Sequence, residues 1–111
     1  MTDKIVVLST CGSEPEAARI ARHLVDKRLA ACVNIVPNIR SIYRWKDPAG
    51  ADIVEDSSEF LMVIKTRRDL LPRLRAEIAA VHSYTVPEVI ALPIVDGADS
   101  YLAWLDRELG Q

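Results

Sequence analysis

The run from Arg28 to Trp45, RLAACVNIVPNIRSIYRW, constrains this chain more than any other stretch, because it asks for a strand too long for one small domain to cover. Val33, Ile35, Ile39, Tyr43 and Trp45 fall on one face, and Asn34, Asn38, Arg40 and Arg44 on the other, which is the period-two pattern of a half-buried strand. Pro37 interrupts the run and offers no ladder N–H, so a bend, a bulge or an edge position is expected there rather than a flat central strand. A long edge is an open template for pairing, and a chain must either blunt it or use it. Its use in assembly is the expectation.

At 111 residues the chain is expected to form one domain, 1–111, large enough for a real core. Half its residues are hydrophobic, which argues against disorder. The net charge of −2 leaves no electrostatic footprint for nucleic acid beyond the pair Arg67-Arg68, so no nucleic-acid partner is expected. No apolar run approaches the roughly 20 residues needed to span a bilayer, and Met1-Thr2-Asp3-Lys4 leads straight into a strand pattern. A cytoplasmic protein with no membrane partner is expected. Cys11 and Cys32 are too few for a disulfide framework and lack zinc or redox spacing, so both read as thiols.

The remaining elements follow from period and punctuation. Ile5-Val6-Val7-Leu8 reads as a buried first strand, and Ser13 with Glu16 three residues later forms a capping-box pattern that opens a helix at about Ser13. Its apolar stripe is Ala17, Ile20, Ala21, Leu24 and Val25, and His23 lies off it, where a solvated side chain is expected. After Trp45, Asp47-Pro48-Ala49-Gly50 fits a turn and Glu59 to Thr66 a returning strand, so the two make a hairpin. A second helix from about Asp69 carries Leu71, Leu74, Ile78 and Val81, a fourth strand runs from Val89 to Val95, and a last helix carries Tyr101, Leu102, Trp104 and Leu105. The order β-α-β-β-α-β with a helical tail is that of an α+β, ferredoxin-like fold with both crossover helices on one face of an antiparallel sheet. Two helices leave the other face bare. Subunit association is the economical way to cover it.

The chain has no nucleophile elbow, P-loop, HExxH helix or dinucleotide fingerprint, so no catalytic role is expected. What remains is a candidate metal-ligand set: Cys11 at the end of the first strand, His82 at the end of the second helix, and Glu88 before the fourth strand. A thiolate, an imidazole and a carboxylate suit copper or zinc better than magnesium or calcium. Each residue also has an ordinary structural role: Cys11 as a small buried hydrophobe, His82 as a helix cap, Glu88 as the partner of an arginine across an interface. Tyr43, Trp45 and Tyr84 suit core or interface anchors and equally the lining of an interfacial pocket.

The blocks RLAACVNIVPNIRSIYRW, EFLMVIKT, HSYTVPEVIALPI and YLAWL, in that order and spacing, resemble the CutA divalent-ion tolerance proteins over nearly the whole chain. The resemblance implies a ferredoxin-like protomer in a tight homotrimer, a PII-like architecture, and a role in copper tolerance with bound Cu(II) or another divalent metal ion. The histidine-proline-tyrosine turn of that family falls on His82, Ser83 and Tyr84, with the proline missing. Its glutamate falls on Glu88, its lysine-threonine pair on Lys65 and Thr66, and the first-strand cysteine of some members, whose register varies between Ser9 and Cys11, has Cys11 as its thiol counterpart here. A different reading of the same clefts is a signalling module that takes a small anionic effector or a protein partner through Lys65, Arg67 and Tyr84.

Overall fold

In the first strand, every second side chain from Ile5 to Cys11 turns inward, and this alternation sets one face of the sheet as the core face. The structure is a computed structural model that describes residues 2–110. The strand, β1, spans Lys4–Cys11 and is followed by helix α1 at Glu14–Asp26. Ser13 caps the helix, its hydroxyl accepting the Glu16 N–H at 3.3 Å, with Pro15 in the first turn as expected. Strands β2 (Cys32–Lys46) and β3 (Asp52–Arg67) form the long hairpin. Helix α2 is Leu71–Val81, strand β4 is Ile90–Pro93 and helix α3 is Asp99–Glu108.

The strand order is β2-β3-β1-β4 with every neighbouring pair antiparallel, the ferredoxin-like plan expected from the sequence. Ile20 and Leu24 of α1 and Leu74 and Ile78 of α2 are fully buried against Val7, Cys11, Met62 and Ile64. The two helices are clasped outside the core by Glu77, which meets His23 Nε2 at 2.9 Å and Lys27 Nζ at 3.3 Å. His23 is therefore a bridge between helices rather than a freely solvated side chain. Helix α3 adds Leu105 to the core, Leu109 just past its end adds another side chain, and both are tied down by Arg67, which reaches Asp106 and the Gly110 carbonyl.

Three boundaries differ from the sequence reading. The second helix begins at Leu71, after a 3-10 turn at Arg68–Leu70, because Pro72 has no N–H to give and fits only in a first turn. The third strand starts at Asp52, well before Glu59, because its polar first half has β2 to pair with. The fourth strand is only Ile90–Pro93, paired with β1 along Ile5–Leu8 and exposed throughout.

The turn between β2 and β3 closes with Gly50 N–H on the Asp47 carbonyl at 2.9 Å, and Gly50 has φ +87°, a conformation that glycine adopts without steric cost. The hairpin arm draws the molecule out to 50 × 24 × 22 Å, with a radius of gyration of 15.2 Å. A compact chain of this length has about 13 Å. At Pro37 the ladder slips between Val36 and Ile39, and Asn38 takes φ 59°. Protection on β3 changes phase across that bulge: Met62, Ile64 and Thr66 are sheltered on one side of it, and Ile53, Glu55, Ser57 and Glu59 on the other. The bulge thus re-aims the arm, turning Glu59, Tyr43 and Trp45 toward the loop that follows α2.

Candidate functional site

The polar groups inside the protomer gather where β1 ends and α2 gives way to its loop. His82 terminates α2, its backbone N–H bonding the Ile78 carbonyl, and its side chain is wholly buried. Nε2 donates to the Thr10 carbonyl at 2.8 Å and Nδ1 accepts the Tyr84 N–H at 2.9 Å. Both ring nitrogens thus already have hydrogen-bond partners inside the molecule. The imidazole packs on the Tyr84 ring at 4.6 Å between centroids. Tyr84 in turn donates its hydroxyl to Glu59 Oε2 at 2.6 Å, and burial together with that carboxylate pushes its phenol well above the usual range. Gly12 makes room for the hydroxyl: a Cβ there would lie 3.2 Å from it.

Glu16 does not complete the capping box by reaching back to Ser13. Its carboxylate turns to the Ser83 N–H at 2.8 Å, fixing the loop that follows α2. Burial opposes its ionisation, but the Ser83 hydrogen bond and nearby Arg19 outweigh this and hold its pKa below the ordinary value. Cys11 is fully buried, and burial and the neighbouring Glu16 push its thiol upward. Glu88 is exposed in the loop leading to β4.

The structure therefore brings two of the three sequence-derived ligands to one end of the sheet, since His82 bonds the residue beside Cys11, and leaves Glu88 apart. Among the described residues no group of three or more His, Cys, Asp or Glu side chains is placed to hold a metal ion. Glu16 and Glu59 belong to this site and were not singled out for it by sequence. The signal for Glu59 is a lone charge at the head of the apolar run EFLMVIKT. Cys32 lies elsewhere, with the Lys65 ammonium 3.9 Å from its sulfur.

The family model for the CutA1 divalent ion tolerance protein matches residues 5–108. The chain belongs to the CutA family. It is 50% identical over 105 residues to the divalent-cation tolerance protein CutA of Thermus thermophilus, covering 95% of this chain and 97% of that one. It is also 48% identical over 101 residues to the chloroplastic protein CutA of Arabidopsis thaliana, covering 91% of this chain but only 53% of the plant protein, so it spans about half of that relative's length. The crystal structure of CutA1 from Oryza sativa superposes with a TM-score of 0.90 at 42% identity, over 97% of this chain and 94% of the rice chain. No helix among the described residues is long and apolar enough to cross a membrane.

Proposed function

We propose that this CutA protein is a non-catalytic homotrimer of the cytoplasm that binds a divalent metal ion, copper in the first instance, through Cys11 and His82 of one subunit and Glu88 of a neighbour. The observation that carries the reading is the division of the ligand set: Cys11 and His82 share one end of the protomer, while Glu88 is exposed and apart from them. The trimer is supported by the uncovered sheet face, where Val6 and Leu8 of β1 stand beside Leu92 and Ile90 of β4 and retain contact with solvent. Metal uptake has a cost in this geometry. One of the two His82 hydrogen bonds must be given up and the Cys11 thiol must lose its proton.

The anionic-effector reading finds less support. Lys65 is held by Asn34 and Arg67 by Asp69 and Asp106, all at the Lys4 end of the sheet, while Tyr84 sits at the Cys11 end against a carboxylate. The test is electron paramagnetic resonance of the protein with one equivalent of Cu(II) per chain. Nitrogen hyperfine splitting that disappears in His82→Ala, with stoichiometric uptake lost in Glu88→Ala as well, is expected. A copper signal without nitrogen coupling, or one indifferent to both variants, overturns the assignment.

A further inference from the structure

The hairpin arm and the loop after α2 enclose a cleft of about 450 Å3, walled by Tyr43 and Trp45 of β2, Glu55 and Glu59 of β3, and Tyr84 and Val86 of the loop. Its lining holds three aromatic rings, two carboxylates and no lysine or arginine. Tyr43 stands directly opposite Glu55 in the ladder, so ring and carboxylate are cross-strand neighbours on one face. Glu59 is only 6% exposed, and its carboxylate accepts the Tyr84 hydroxyl on Oε2. A neutral hydroxyl orients that carboxylate without neutralising it. Neither Glu55 nor Glu59 has a cationic partner among the described residues, whereas the buried Glu16 has Arg19.

A buried carboxylate without a counter-charge, facing a cavity, asks for a cation. The aromatic walls decide which kind. A hydrated divalent metal ion wants oxygen, nitrogen or sulfur ligands in a close set, and no such set occurs among the described residues. An organic ammonium gains from ring faces and carboxylates together and has an apolar body that Trp45 and Val86 can cover. The volume suits a molecule of that size. We propose that this cleft binds a small organic ammonium ion, its head between Glu59, Glu55 and the Tyr43 and Tyr84 rings, and its apolar part against Trp45. The cleft adjoins His82 through Tyr84 but includes none of the metal ligands proposed above, and its occupant goes beyond that reading.

The test uses phenethylammonium chloride and its neutral counterpart 2-phenylethanol, titrated into the assembled full-length protein at low ionic strength and followed by calorimetry and tryptophan fluorescence. Saturable binding of the ammonium is expected, with the alcohol at least about tenfold weaker. Glu59→Gln keeps an acceptor for the Tyr84 hydroxyl and should weaken ammonium binding about tenfold. Trp45→Leu, on the exposed arm where folding is not at stake, should do the same. No saturable binding, equal binding of the alcohol, or indifference to both variants overturns the proposal. Copper uptake by Trp45→Leu, which touches none of the metal ligands, separates the two functions: unchanged uptake alongside lost ammonium binding supports a cleft of its own, and joint loss overturns it.

Discussion

His82 spends both ring nitrogens inside its own protomer, and that single fact shapes what the neighbouring residues can do. Its ring fixes Tyr84, Tyr84 fixes Glu59, and Glu16 holds the Ser83 amide between them. Tyr84→Phe removes the hydroxyl that faces Glu59 and leaves a buried carboxylate without its donor, so a loss of about 1–3 kcal/mol is expected in urea unfolding. Glu16 offers a cleaner test through pH. Its folded pKa lies below the ordinary 4.5, so it contributes stability above that value and loses it as pH falls through the folded pKa. Glu16→Gln should therefore be less stable than the parent at pH 7, with the gap closing as thermal melts are taken below pH 4.5. Cys11 and His82 were legible in the sequence as residues at the ends of elements that topology draws together. Glu16 was not, because the spacing S-x-x-E describes a cap equally well and nothing in it shows a carboxylate turning to a loop 67 residues away. Glu59 was hidden by the bulge, which changes which side chains of β3 are sheltered.

At the scale of elements, strong periodicity gave reliable structure. The alternation from Val33 to Trp45 gave β2, Ser13 gave the start of α1, and the Asp47–Gly50 turn gave the hairpin. The extent of β3 was not legible, because Asp52 to Ser58 is polar and becomes strand only by pairing with the arm of β2. Nor was the short span of β4, whose apolar residues pair only along the reach of β1. Pro37 announced an irregularity, and the position that absorbs it is Asn38 at φ 59°. Asparagine tolerates that conformation and a β-branched residue does not. Asn38→Val should cost about 1–2 kcal/mol in chemical unfolding, whereas Asn38→Gly should be neutral within error. If Asn38→Val is as stable as Asn38→Gly, the bulge is not held by this backbone conformation.

For the molecule as a whole, the projecting arm and the bare sheet face argue for assembly more strongly than any one residue does. A solitary protomer leaves Ile90, Leu92, Val36 and Ile42 exposed. Leu92→Asp places a charge on that face where no helix packs, so sedimentation should find it dissociated while its circular dichroism stays that of the parent. The central claim is that the metal site is divided between subunits, and mixed trimers test it most directly. His82→Ala and Glu88→Ala chains would be co-expressed, and their mixed trimers weighed by native mass spectrometry after stoichiometric copper. Each mixed trimer contains one boundary where an intact His82 faces an intact Glu88, so it should carry one copper ion while both parent homotrimers carry none. Mixed trimers as empty as the homotrimers would contradict a shared site, and copper retained by either homotrimer would contradict the ligand set itself.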